Sequence, residues 1–535
     1  MLTGSPTTTE KLIDAFFDDT FAGVHSLAAF DYFILIPYFV MLAVLSFYGC
    51  HRFEMIRGYF KGKKRMPKEP ARRFNPGEMP RVTIQLPLFN ERYVVERLLE
   101  SAVKVRYPEG LLQIQVLDDS TDDTAAFTES LVASYVERGY NMEYRHRKNR
   151  KGYKAGALQA GLDSATGELI AIFDADFVLP EDFLEKTVDF FTDSQIGVVQ
   201  TRWTYLNRHF NLLTEVQTML LDGHFVLEHG ARASNGLFFN FNGTAGIMRK
   251  AMIEDAGGWQ HDTLTEDSDL SYRAQLKGWK FLYLPHVECP SELPVETYSF
   301  QVQQSRWAKG LTQCAKKLMR LVLDANVPRR VKLEAICHLT PNISYPLMII
   351  VSALMLPVMI VRFYMGPLEM LLIDFPLIIA NFVSLTAFYL IAQRELDPQG
   401  WKRTIWFIPA LMAAGVALTL SNTKAVLEAL FGVQTSFART AKYNLSDKKV
   451  KLEAVQYRRK SGMLPFLELL MGTAFLAMVY YCVETLNLLS IPFLMIFVSG
   501  YYWAGISTLW QEYQGLLQFK AAKAALEAAP PQPNH

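Results

Sequence analysis

Two acidic clusters stand out, Asp118-Asp119 and Asp174-Ala-Asp176, because each directly follows a strand candidate, residues 113–117 and 169–173. Carboxylates gathered this way repel one another and need a compensating cation. Mg²⁺ or Mn²⁺ held by one or two carboxylates plus substrate phosphates is the usual solution. At the first cluster, simple capping of a helix near Thr124 competes with that reading and suits Asp122 or Asp123. It gives no account of Asp174 and Asp176. Lys151-Gly-Tyr-Lys154-Ala-Gly-Ala157 places two lysines beside glycines ahead of a helical stretch. That pattern fits a phosphate-contacting turn, or equally a solvated basic loop. Thr265-Glu266-Asp267 opens another helical stretch, either as an N-cap with carboxylates in the first turn or as a general base at a helix start. The segment 238–246 (FFNFNGTAG) joins glycines, which allow close backbone approach, to aromatics that could stack on a sugar or fill a core. Finally, Gln303-Gln-Ser-Arg306-Trp307 lies in a segment with Leu311, Cys314, Leu318 and Leu321 on one face and Lys309, Lys316, Lys317 and Arg320 around it. This reads as an amphipathic helix at a membrane surface, with Arg306 able to clamp a phosphate and Trp307 able to stack on a sugar.

The elements that must position these residues alternate in type. Residues 82–86, 113–117, 169–173 and 197–201 read as strands, and 92–105, 124–138 and 181–191 as helices. Alternation of this kind predicts a parallel sheet covered on both faces. Ligands of such sheets bind at the carboxyl ends of the strands, where the acidic clusters fall.

The rest of the 535-residue chain is not soluble in character. Half its residues are hydrophobic and 20% are charged, and mean hydropathy is slightly positive. Charge-free runs cover 32–49, 339–361, 375–393, 404–423, 469–483 and 485–510, most of them near the roughly 20 residues that span a bilayer. The first is preceded by Glu10, Asp14, Asp18 and Asp19 instead of a basic region, so it reads as a retained span and not a cleaved signal. Residues 51–75 carry nine Lys/Arg and residues 1–30 one, which predicts an outside N-terminus and a cytoplasmic insert. Residues 434–460 carry eight and should also be cytoplasmic. A single crossing at 404–423 would break that rule, so 404–432 is expected to be interfacial or re-entrant, six full spans with one violation being the alternative. A net charge of +1 shows no basic excess for nucleic acid, and the five scattered cysteines suggest neither a zinc site nor a disulfide framework.

In order and spacing, Asp118-Asp119, Asp174-Ala-Asp176, Thr265-Glu266-Asp267 and Gln303-x-x-Arg306-Trp307 resemble the processive family 2 glycosyltransferases: cellulose, hyaluronan and chitin synthases. The wording LPLFNERYVVERLL, QVLDDSTDDT, FFNFNGTAG, GWKFLYL and ELP is similar to cellulose synthase-like A and C proteins. Phe437-Ala-Arg-Thr440-Ala-Lys442 resembles their gating loop, with Arg439 replacing the usual valine.

The resemblance implies an α/β GT-A fold, nucleotide-sugar-binding and Rossmann-like, inserted between transmembrane helices. It implies an inverting polymerase that makes a β-linked glucan, mannan or glucomannan from UDP-glucose or GDP-mannose and passes it across the membrane. Asp118 and Asp119 would lie near the donor base. Lys154, Gln303, Arg306 and a Mg²⁺ or Mn²⁺ on Asp174 and Asp176 would hold the donor diphosphate. Asp267 would be the base beside Glu266, and Trp307 and Thr265 would meet the acceptor. The implied division is 1–60 tail and first span, 61–299 cytoplasmic GT-A domain, 300–335 interface helices, 336–393 two spans, 394–462 interfacial segment with gating loop, 463–512 two spans, and 513–535 tail. Expected partners are the donor, the growing polysaccharide, the bilayer and envelope export proteins, with a bacterial inner membrane as the expected site. Two departures stand out: Phe177 follows the Asp174-Ala-Asp176 motif where cellulose synthases carry a histidine, and the 25 residues after Trp510 leave no room for a cyclic-di-GMP-binding barrel. A non-processive transferase acting on a ceramide or diacylglycerol is the competing reading, and a channel that needs none of the carboxylates is a third.

Overall fold

In the computed structural model, residues 27–363, 376–377, 379–435, 440, 442–445, 461–485 and 487–528 are described. Seven strands form one sheet: β1 (Val82–Leu88), β2 (Leu112–Asp118), β3 (Met142–His146), β4 (Leu169–Ile172), β5 (Ile196–Tyr205), β6 (Gly246–Arg249) and β7 (Lys280–Ser291). Their order across the sheet is β3-β2-β1-β4-β6-β5-β7. All seven residues of β1 are buried, as expected for a strand covered on both faces. Its two polar side chains bond sideways: Thr83 donates to Gln113 at 2.8 Å and Gln85 to Gln115 at 3.0 Å.

The sheet is mixed, which corrects the expectation of a purely parallel one. β6 is antiparallel to both β4 and β5. The chain reaches β6 from the carboxyl ends of its neighbours, with Gly246 opposite Ile172 and Gln200, so the strand runs back down the sheet. That reversal sets the loop before β6 directly beside the end of β4. β3, β6 and β7 escape sequence reading for local reasons: β3 is the polar edge strand MEYRH, β6 has only four residues, and β7 is irregular, with a register shift opposite Thr201 and Arg202.

The helices that matter to the site are α1 (Ala29–Gly62), α2 (Val95–Val103), α3 (Thr124–Glu137), α4 (Tyr153–Leu162), α5 (Leu212–Asp222), α6 (Glu266–Leu276) and α7 (Thr297–Asp324). The expected helix at 181–191 is one short helix, Phe183–Thr187, followed by a 3₁₀ turn, Val188–Thr192. Beyond α7 come α8 (Arg329–Leu339), α9 (Ser344–Phe363), α10 (Ser384–Leu396), α11 (Ile408–Ala417), α12 (Thr419–Leu430), α13 (Leu464–Glu484) and α14 (Ile491–Ala528).

Among the described residues, four helical segments are long and apolar enough to cross a membrane: Ala29–Arg65, Pro341–Phe363, Leu464–Glu484 and Ile491–Leu517. A fifth candidate is the pair Trp401–Ala417 and Thr419–Leu430, bent by 41°. The pair covers the run at 404–423, and its bend falls at Leu418. The span expected at 375–393 is only partly described, as a π-helical turn (Ile379–Val383) leading into α10. The apolar residues Phe30, Phe33, Leu470, Tyr480 and Ile506 are exposed along these helices, the pattern of surfaces whose neighbour is hydrocarbon.

The amphipathic helix α7 does not spend its apolar face on lipid. Cys314, Leu318 and Val322 are fully buried against Tyr272 of α6 and Ala335 and Leu339 of α8, while Leu321 is exposed. Lys309, expected on a solvated flank, is buried and bonds Glu428 of α12 at 2.8 Å.

Candidate active site

One cleft of about 170 Å³ opens at the carboxyl ends of β1 and β4, under the start of α6 and the first half of α7. Asp119, Lys154, Asp174, Asp176, Thr265, Glu266, Asp267, Gln303, Arg306, Trp307, Thr440 and Lys442 all line it. These residues come from positions 119 to 442, and the sheet and α7 bring them together. Phe437 lies outside the described residues.

The acidic floor follows from the reversed strand. The Asp174 N–H donates to Thr244 Oγ1 at 2.8 Å, and the Ala245 N–H to the Ile172 carbonyl at 2.8 Å, so the loop before β6 clamps the end of β4. Lys154, in the first turn of α4, donates to Asp174 Oδ1 at 2.5 Å and to the Gly243 carbonyl at 2.9 Å. Burial disfavours its ammonium, but Asp174 and Glu266 more than offset this and raise its pKa. Lys442 lies 2.7 Å from Asp176 Oδ1 and 3.1 Å from Glu91 Oε1. Burial raises the Asp176 pKa even against that ammonium.

Glu266 and Asp267 begin α6, where helix amides favour negative charge. The Ser268 N–H donates to Asp267 Oδ1 at 2.7 Å. Burial first, and Glu266 second, push the Asp267 carboxyl up to about 7. Thr265 occupies the N-cap position, but its hydroxyl makes no capping bond; it faces Cys314 Sγ of α7 at 3.4 Å. Gly243, at φ 78°, lies against this pair: a Cβ there would stand 3.0 Å from Asp267 Oδ2.

Helix α7 is fixed to residues 262–269 by further contacts. Gly310 passes so close that a Cβ would meet Thr265 Cγ2 at 2.5 Å and Thr265 N at 2.8 Å. Gln313 Oε1 accepts from the Leu264 N–H at 2.9 Å, and Lys317 bridges Asp262 and Asp269 at 2.7 and 2.9 Å. One turn up the same helix, Arg306 is half-buried and faces the charges of Glu266, Asp174, Asp267 and Asp176. Burial lowers its pKa and the four carboxylates raise it, a balance suited to an anion that brings charge of its own.

The end of β2 corrects one expectation. Asp118 does not line the cleft; it is fully buried, with Oδ1 accepting from the Ser120 N–H at 2.8 Å and Oδ2 from the Tyr144 hydroxyl at 2.9 Å. Tyr144 belongs to β3, the strand that sequence pattern does not reveal, and it turns the carboxylate inward to brace the loop after β2. Asp119 does line the cleft, but Arg147 holds both its oxygens, at 2.7 and 2.5 Å. Asp122 caps α3 through the Thr124 N–H at 3.0 Å, as simple capping predicts. Phe239 and Phe241 are core, not a sugar platform.

Sequence pattern assigns no role to Glu91, Arg97, Arg147, Arg150, Asn242, Gly243 or Glu292. Some stand inside family-like stretches, Glu91 in LPLFNE and Glu292 in ELP, yet no local pattern marks them as site residues. Arg150 stacks over Phe89 with its guanidinium carbon 3.2 Å from the ring centroid, at the cleft mouth.

A divalent cation fits the chemistry of the floor. No three His, Cys, Asp or Glu among the described residues gather into a protein-only cage. Mg²⁺ normally takes one or two carboxylates and completes its shell with substrate phosphates, which is what Asp174 and Asp176 offer in a cleft already lined by cations.

Residues 80–310 match the family model described as glycosyltransferase like family 2. A probable glucomannan 4-beta-mannosyltransferase 11 from Oryza sativa subsp. japonica is 46% identical over 250 residues, covering 46% of this chain and 44% of that protein. A glucomannan 4-beta-mannosyltransferase 2 from Arabidopsis thaliana is 42% identical over 276 residues, covering 50% and 52%. The chain thus matches about half the length of these curated relatives. Among solved structures, the mannosyltransferase PcManGT from Pyrobaculum calidifontis, in complex with GDP-Man and Mn²⁺, superposes with a TM-score of 0.49 at 21% identity, covering 74% of this chain and 100% of that one.

Proposed function

We propose that residues 80–310, which match the glycosyltransferase family 2 model, are a transferase domain of GT-A fold, and that this protein transfers hexose from a nucleotide sugar to a growing β-linked polysaccharide. The observation that carries the reading is the convergence of Asp267, Asp174, Asp176 and Arg306 on one cleft. The names of the plant relatives favour a mannosyl donor and a mannan or glucomannan product over a glucan.

In this reading Asp267 takes the proton of the acceptor hydroxyl as that oxygen attacks the anomeric carbon. The bond from that carbon to the diphosphate breaks, and the nucleoside diphosphate leaves with the electron pair. A single displacement inverts the anomeric centre and needs one base, with no second carboxylate as nucleophile. Lys154 and Arg306 hold the diphosphate as its charge grows. Mg²⁺ or Mn²⁺ on Asp174 and Asp176 would supply further charge neutralisation to that leaving group. Trp307 and Thr265 hold the acceptor sugar, Gln303 contacts the donor, and Thr440 and Lys442 belong to the loop that closes on it.

The apolar helices support a membrane location and export of the product through them. The relatives are plant proteins, which gives no support to a bacterial inner membrane.

The test is to incubate membranes carrying the full chain with labelled GDP-mannose or UDP-glucose and Mg²⁺ or Mn²⁺, alongside Asp267→Asn. Label in a long, mannanase- or glucanase-sensitive polymer, lost in the variant, is the expected result. Label extracted into organic solvent would establish a glycolipid transferase instead. Transfer unimpaired in Asp267→Asn would sink both.

A further inference from the structure

The segment after Thr440 is docked in the cleft by Glu292, a residue to which no sequence pattern assigns a role. Glu292 follows the last residue of β7, and its carboxylate is 2% exposed. Oε1 accepts from the Tyr443 N–H at 2.8 Å and Oε2 from the Leu445 N–H at 3.0 Å. Asn444 between them has φ 59°, the left-handed turn that lets alternate backbone amides converge on one anion. Arg97 of α2 donates to Glu292 Oε2 at 3.2 Å and to the Asp176 carbonyl at 3.5 Å, tying the dock to the acidic floor. With residues 443 and 445 held there, the Lys442 ammonium reaches both Asp176 and Glu91.

We propose that Glu292 is a positioning residue for the transfer reaction: its carboxylate docks the backbone of residues 443–445 and so places Lys442 at the edge of the donor site. The proposal rests on the glycosyltransferase reading for its kinetic consequence, but the docking itself does not. Two backbone N–H groups on one buried carboxylate give a contact that depends on the chain's path and not on which side chains 443 and 445 carry. A charged acceptor makes each bond stronger than a neutral one would be. Arg97 offsets the cost of burying the carboxylate.

The experiment is limited trypsin digestion of the full chain in detergent, read by mass spectrometry as the rate of cleavage after Lys442. A docked Lys442, 14% exposed, resists entry into the protease; Lys64, exposed and remote, is the internal reference. Glu292→Gln should speed cleavage after Lys442 by about tenfold, the scale of one lost charge-assisted hydrogen bond, with cleavage after Lys64 unchanged. Glu292→Asp should restore part of the protection. In the transfer assay Glu292→Gln should raise the donor KM several-fold while kcat changes little. Should cleavage after Lys64 also accelerate, Leu445→Pro decides: it removes one donated N–H, leaves Glu292 and Arg97 intact, and keeps the Lys442–Tyr443 bond a substrate for trypsin. Unchanged protection of Lys442 in both variants overturns the proposal. Digestion requires no donor, so its outcome holds even where Asp267→Asn shows the catalytic reading itself to be wrong.

Discussion

At the residue scale, the site holds two carboxylates side by side at a helix start and surrounds them with Lys154 and Arg306. Asp267→Asn should cut transfer by roughly 10²–10⁴-fold, the usual worth of a positioned base, while donor binding measured by calorimetry persists. The base acts only when deprotonated, and its carboxyl is pushed up to about 7. The acid limb of kcat/KM should therefore bend near pH 7 and fall tenfold per unit below it. A limb bending near 4 would remove Asp267 from the role. Arg306→Lys keeps the charge but loses the planar fork, so about 10–100-fold in kcat/KM should go, the equivalent of one strong charged contact. Most of these residues are legible as types at a spacing: acids after apolar runs, an acid pair at a helix start, an arginine and tryptophan on one helix. Asp118 is not, because Tyr144 from an unrecognised strand decides where its carboxylate points.

At the element scale, the placement of α7 governs the site. It carries Gln303, Arg306 and Trp307 into the cleft, crosses the Thr265 backbone at Gly310, and anchors to α12 through Lys309–Glu428 and through Ser305 to Asn422 at 3.0 Å. Gly310→Ala has nowhere to put its methyl group without parting α7 from the Thr265 backbone. The expected cost is about 1–3 kcal/mol of stability, as for overpacking, with a larger loss in kcat than in donor affinity. Thermal unfolding beside steady-state kinetics would check both, and an unchanged kcat would show that the spacing does not matter. Lys309→Met strands the Glu428 carboxylate in a partly buried setting. Loss of a buried partner costs about 3–5 kcal/mol, and Lys309→Met with Glu428→Gln should recover much of it. The amphipathic pattern of α7 is legible as a pattern, but its partner is not. A stripe of Leu and Cys reads the same whether lipid or another helix covers it.

At the scale of the whole molecule, the domain that contains the stretch matching the family 2 glycosyltransferase model sits against helices whose outer faces are apolar and exposed. The chain should stay in the pellet after alkaline carbonate and enter solution only with detergent. Release by carbonate alone would mean that these helices pack against protein instead of lipid. The bend of 41° at Leu418 lies in the run that loop charge could not accommodate as a simple crossing. Cysteine labelling on either side of that bend, from each face of sealed vesicles, would separate a broken span from a re-entrant one.

The class of this protein is written in its residues alone: apolar runs of membrane length, an α/β insert between them, and ordered acidic and QxxRW motifs whose spacing is set by chemistry at neighbouring residues. Such features are local, since a run, a period or a motif is complete within a few dozen residues. The direction of β6, the inward turn of Asp118, the burial of Lys309 and the docking of residues 443–445 on Glu292 emerge only in the folded chain. Each depends on a partner elsewhere along the sequence, over 26 residues for Tyr144 and Asp118 and over 151 for Tyr443 and Glu292. A carboxylate beside a serine and a leucine carries no sign in the sequence of the amides that will close on it. That pairing exists only once the sheet has brought the end of β7 beside residues 443–445.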